Sequence, residues 1–176
     1  MLAWLKTGGC LAGAFCILLR VITHPAWSLP TQTFEVSASI VNGCVISGTN
    51  TGVFGSLNFG TLPGVGSRSA STSLAQNAAL TLACTPGTTL NLSIDGGAHY
   101  STTRNMQVAN NTNLVGYTLY TSANHTAASA IPVSQNVALA FSNANNITLP
   151  VYGLVQLSGV NRAGTYSDTL TVTLSW

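Results

Sequence analysis

The sequence predicts an all-β fold, an immunoglobulin-like β-sandwich. Three observations carry this. Apolar residues recur with period 2 in several short runs, the signature of half-buried strands. Turn-forming residues separate those runs. No stretch shows helical periodicity with caps at its ends.

The runs follow one another along the chain. Phe34, Val36, Ala38 and Ile40 alternate with Glu35, Ser37 and Ser39. Gly60 to Ser73 reads as a long Gly/Ser loop. Leu80 and Leu82 flank Thr81 and lead to Cys84, and Thr85-Pro86-Gly87 then turns the chain. Leu90, Leu92 and Ile94 form the next run, stopped by Asp95-Gly96-Gly97. Val115, Tyr117 and Leu119 share one face of another. Val133, Val137, Leu139 and Phe141 share one parity, and Ile147, Leu149, Val151 and Val155 continue it. Arg162-Ala163-Gly164 precedes a final run of Leu170, Val172, Leu174 and Trp176. Seven or eight short strands of this kind fit a sandwich.

The first stretch reads as a secretory signal peptide, residues 1–28. Lys6 supplies positive charge, Cys10 to Leu19 is an apolar run, and Ala26 and Ser28 are small residues at a cleavage site. The apolar run is shorter than the roughly 20 residues that span a bilayer. The alternative is a short anchor that is never cleaved.

Charge narrows the function. Only 5% of the 176 residues are charged, against about 25% in an ordinary soluble domain. Polarity comes instead from 23 Thr, 18 Ser and 15 Asn. No two basic residues are closer than fourteen positions, so no cluster exists to neutralise phosphates and nucleic acid is not an expected partner. The acids are Glu35, Asp95 and Asp168. Without residues 1–28 these face Arg68, Arg104 and Arg162, for a net charge of zero.

Cys44 and Cys84 are the two cysteines beyond the leader. In an exported chain an even pair reads as one disulfide, which would stabilise by roughly 4 kcal/mol on a chain-entropy argument. Two separate buried thiols are the alternative. A zinc site lacks the spacing, so no metal and no cofactor is expected.

Catalysis has little to work with. A nucleophilic triad needs a histidine oriented by an acid, and neither His99 nor His125 has an acid nearby in sequence. No G-x-S-x-G is present. His99 and His125 read as solvated loop residues. Tyr166, Asp168 and Arg162 read as strand-edge structure, and Arg104 as the partner of Asp95 or Asp168 in an ion pair. The chain is therefore not expected to be an enzyme.

Two features are odd for a self-sufficient sandwich. An alternating apolar segment stands before the first cysteine, and the last run, Leu170 to Trp176, has no successor to pair with. An exposed apolar edge invites aggregation, and accepting a strand from another chain is one remedy. Pairing of the N-terminal segment within its own domain is the other.

Several motifs, taken in order, resemble one family. They are LNFG at Leu57–Gly60, LACTPG at Leu82–Gly87, LSIDGG at Leu92–Gly97, RNM at Arg104–Met106, VGYTLY at Val115–Tyr120, VYG at Val151–Gly153 and AGTYSDTLTVTL at Ala163–Leu174. Together they resemble the spore coat protein U domain family, which includes subunits of archaic chaperone–usher pili of the Csu type. The resemblance runs from about Phe34 to Trp176. It implies a pilin with an incomplete immunoglobulin-like sandwich, completed by a donated strand. Residues 29–43 would be the donor segment, with Phe34, Val36, Ala38 and Ile40 as its inserted face, and residues 44–176 the pilin domain. The family disulfide maps onto Cys44 and Cys84. Implied partners are a periplasmic chaperone, an outer-membrane usher and neighbouring pilin subunits. The implied location is the periplasm and then the cell surface, in a fibre serving adhesion and biofilm formation. A spore-coat structural protein and a carbohydrate-binding adhesin module are the competing roles.

Overall fold

The structure, a computed structural model, describes residues 35–48 and 52–176. The leader and Phe34 lie outside the described residues. By internal contacts the chain divides into a unit of Met1–Ala38 and a unit of Ser39–Trp176. In the first, residues 35–38 are described; they form no strand, and Val36 is 82% exposed.

The second unit is all β apart from one 3₁₀ turn at Ala127–Ser129. Its strands are β1 (Cys44–Gly48), β2 (Gly55–Ser56), β3 (Arg68–Ser73), β4 (Ala75–Gln76), β5 (Leu80–Cys84), β6 (Leu90–Ile94), β7 (Arg104–Val108), β8 (Leu114–Tyr120), β9 (Val137–Leu139), β10 (Tyr152–Leu157), β11 (Tyr166–Ser167) and β12 (Val172–Ser175). One sheet has the order β11-β7-β8-β10-β3. A second runs β12-β6-β9, and two pairs, β1-β5 and β2-β4, complete the set. The ladders between these strands are all antiparallel.

Alternation places the core. In β5 and β6 every second residue is buried, and Leu82, Leu90, Leu92 and Ile94 are sealed from solvent. In β8 the buried set is Val115, Tyr117 and Leu119. Ile147, Leu149 and Val151 keep the same period up to Val155 in β10, although 147–151 form no regular ladder. These side chains make one cluster between the sheets.

Two turns follow their residues. Thr88 N donates to Thr85 O at 3.1 Å. Pro86 sits second in that turn and Gly87 third at φ +84°, the geometry that requires glycine. Asp95 Oδ1 accepts from Gly97 N at 3.0 Å and ends β6 by competing for the backbone.

Two strand readings need correction. The run expected as part of a loop, Gly60 to Ser73, contains β3. Its sequence, RSASTS, offers only Ala70 and Thr72 to the interior, so no apolar period marks it. The ladder to β10, from Tyr152↔Ser73 to Leu157↔Arg68, creates the strand. The long run expected from Val133 to Phe141 shortens to the three residues of β9, and among the described residues twelve short strands replace seven or eight.

Cys44 and Cys84 are directly opposite in the β1-β5 ladder and are joined by a disulfide. The bond fixes the start of β1, where Thr85 N also donates to Gly43 O at 2.8 Å. Cys84→Ser should lower stability by roughly 2–5 kcal/mol. Chemical unfolding of the oxidised parent and the variant measures the difference; equal midpoints would show that the bridge is dispensable.

Candidate strand-acceptor groove

The sandwich is open along one side. β12 pairs with β6 and has no strand on its other edge among the described residues. Asp95 N donates to Thr171 O at 3.1 Å, and Thr171 N donates to Asp95 Oδ1 at 3.0 Å. Peptide groups along an antiparallel strand alternate in direction. Those of Thr171, Thr173 and Ser175 therefore face β6, while those of Leu170, Val172 and Leu174 face the open edge. The side chains of these same three residues point inward, yet each is only partly buried.

A cleft of about 430 Å³ runs beside this edge. One rim is residues 52–57 and the other residues 166–172. Its floor reaches the core at Ile94, Leu119, Leu149 and Val151. β1 is also an edge strand, and Ile46 lies opposite the sealed Leu82 yet is 52% exposed. Apolar interior thus meets solvent where a further strand would lie.

Asp168 holds one rim to the body. Its Oδ2 accepts from Tyr117 Oη at 2.7 Å. Its Oδ1 accepts from Ala98 N at 2.9 Å and Thr169 N at 2.9 Å, and lies 3.4 Å from His99 Nδ1. Gly97 packs against this carboxylate at φ +82°, so a side chain there would be both strained and obstructed. Burial, then the bond to Asp168, pushes the Tyr117 hydroxyl far above its ordinary pKa, so it stays a donor at all physiological pH.

Arg104 is buried and fastens the floor. Nε donates to Asp95 O at 2.7 Å, Nη1 to Ile131 O at 2.9 Å, and Nη2 to Ile94 O at 2.8 Å and Pro132 O at 3.2 Å. All four acceptors are backbone carbonyls, so the expected ion pair with a carboxylate is replaced by carbonyl capture. The histidine reading changes as well. His99 pairs with Asp168 across 69 positions of sequence, and His125 has a buried Nε2 with its ring edge-on to Tyr120 at 5.1 Å. Tyr166 does serve strand-edge structure, donating to Arg162 O at 2.9 Å.

The residues expected as donor face stand apart from any ladder. Val36, Ala38 and Ile40 are exposed in a segment without regular structure, and Ile40 is 86% exposed. The groove floor escaped sequence reading, because a residue's burial says which face it is on and not whether that face is covered. Among the described residues no cluster of three metal-ligating side chains occurs.

Asp95 gives this rim a pH dependence. Burial raises its pKa, but hydrogen bonds from Thr171 and Gly97 and the charge of Arg104 outweigh that and hold it below the ordinary 3.8. A depressed folded pKa means that the carboxylate contributes stability above pH 3.8 and loses it as pH falls through the folded value. Asp95→Asn should lower the melting temperature at neutral pH, and the deficit should shrink below pH 3.8. Thermal unfolding followed by circular dichroism across that range tests it; a constant deficit would refute the electrostatic role.

Comparisons with known proteins give a family and a similar solved structure. No curated protein sequence matches the chain. One similar solved structure is the chaperone–tip adhesion subunit pre-assembly complex from the archaic chaperone–usher Csu pili of Acinetobacter baumannii. The identity is 16% and the TM-score 0.42, with 78% of this chain and 41% of that one covered. This chain thus spans less than half of that one. Residues 30–173 match the Spore Coat Protein U domain, and the chain belongs to that family.

Proposed function

We propose that this chain is a structural subunit of a surface fibre, assembled by donor-strand exchange. A single observation carries the reading: an open groove with an unpaired edge strand occurs in the same chain as an exposed apolar segment of matching period. The groove requires main-chain partners for Leu170, Val172 and Leu174 and apolar cover for its floor. Residues 29–43 of a neighbouring subunit supply both, with Phe34, Val36, Ala38 and Ile40 directed inward. Strand addition of this kind draws affinity from backbone bonds and specificity from alternate side chains.

Before assembly the open groove needs a temporary occupant, because an exposed apolar edge aggregates. A periplasmic chaperone fills that role and an outer-membrane usher exchanges it for the next subunit. Export by residues 1–28, passage through the periplasm and display on the cell surface follow from this sequence of events. Adhesion and biofilm formation are the uses of the resulting pilus. The site offers geometry for a strand, and membership of the Spore Coat Protein U family supports a structural role.

Insertion of one Phe or Ile side chain is worth about 1.5–3 kcal/mol, and a charge in its place adds a desolvation cost. Phe34→Asp or Ile40→Asp should block polymerisation while the subunit is still recovered with its chaperone. Glu35 and Ser37 point to the opposite face, so Glu35→Gln and Ser37→Asn should assemble normally. Fibre yield and chaperone-complex yield for both sets decide the matter; equal effects of the two sets would remove the donor assignment.

A further inference from the structure

The other sheet also has an open edge, and its chemistry differs from the groove's. Edges are commonly kept short or guarded by charge, proline or bulges. β11 has two residues and β9 three. β3 has six and forms the outer edge beyond β10. Leu74 N donates to Val151 O at 2.8 Å, in register with the β10-β3 ladder. By alternation, the peptide groups of Ala70 and Thr72 face β10, and those of Ser69, Ser71 and Ser73 face outward. Among the described residues these outward groups receive one weak local contact, from the Thr72 hydroxyl to Ser73 O at 3.5 Å.

Three serines therefore present a continuous row of free N–H and C=O groups. Their side chains are small and exposed, so another backbone can approach closely. The row is self-complementary. An antiparallel copy centred on Ser71 places Ser71 opposite Ser71 and Ser69 opposite Ser73. The only charge on the strand is Arg68. In that register the two arginines sit at opposite ends, so they do not oppose each other. A zero net charge beyond the leader adds no long-range repulsion.

We infer that β3 is a second association edge, through which two copies of this chain pair laterally by extending the β11-β7-β8-β10-β3 sheet across a two-fold axis. The contact is isologous, the same patch on both copies. It is separate from the groove beside β12 and joins two copies of the chain edge to edge. The inference does not depend on donor-strand exchange.

Cysteine substitution reads the register. In the full exported chain Cys44 and Cys84 are bonded to each other, so an introduced thiol has no internal competitor. Ser71→Cys should give a disulfide-linked dimer on mild oxidation, seen on a non-reducing gel. Ser69→Cys alone and Ser73→Cys alone should give several-fold less, whereas an equal mixture of those two variants should crosslink to about half the extent of Ser71→Cys, because half of its random pairs set Cys at 69 opposite Cys at 73. Equal crosslinking by all three single variants, or none by Ser71→Cys, would overturn the inference. A second variant guards against a folding defect. Ser71→Lys sets two like charges at the two-fold, and should abolish lateral pairs in analytical ultracentrifugation while the yield of oxidised subunit is unchanged. Lateral pairs persisting in Ser71→Lys would also overturn it.

Discussion

A strand with a neighbour on one side only leaves every second peptide group without a partner in the sheet, and that constraint governs this molecule at β12. Each unpaired group must be met by water or by another chain. At β12 water is a poor solution, because the same residues carry Leu170, Val172 and Leu174 toward the interior. Hydrating the peptides means wetting the floor at Ile94, Leu119, Leu149 and Val151. The backbone and the core thus make the same demand, and a single inserted strand, as proposed, would meet both.

An open groove is useful only if its walls hold their places while empty. The polar side chains of the fold serve that purpose. Asp168 draws together Tyr117 on β8, the turn at Ala98 and its own strand-edge segment. Arg104 gathers the end of β6 and the 131–132 segment through four carbonyls. A buried guanidinium without a carboxylate is costly unless its donors are used. Here the carbonyls use them, and the arginine becomes a cross-brace beneath the floor. The disulfide does comparable work at the root of β1, next to the exposed N-terminal segment.

Much of this was legible in the residues, and the parts that were not share a cause. The strands with large alternating side chains, β5, β6 and β8, stand out because period 2 coincides with burial, and β12 carries the same period with its inward residues only partly buried. β3 does not, because its inward residues are Ala70 and Thr72 and its register comes from β10. The motifs LNFG and VYG, and likewise DGG and YSD, are separate in sequence and are two interlocking contacts in space. Phe59 packs onto Gly153, where an added Cβ would lie 2.7 Å from its ring, and Gly97 packs onto Asp168. Glycine next to an aromatic or an acid carries no sign of which distant residue it faces. The Arg104 reading failed for the same reason: three acids were visible in the sequence, but carbonyls left unpaired by the end of β6 were not.

The distribution of charge sets how such a molecule can associate. Asp95, Asp168 and Arg104 are committed to hydrogen bonds within the fold, and among the described residues only Glu35, Arg68 and Arg162 remain as exposed Asp, Glu, Lys or Arg side chains. Few charges are left to steer partners or to hold them apart. In the proposed fibre, contacts between subunits would then rest on backbone ladders and apolar packing, whose strength depends weakly on ionic strength, since screening acts on exposed charges. Specificity falls to register. With side chains alternating at period 2, a shift by one residue turns an apolar face outward. Under the proposed donor assignment, that shift would exchange Val36, Ala38 and Ile40 for Glu35, Ser37 and Ser39, so one misplaced step would cost both the cover of the groove and the desolvation of a carboxylate.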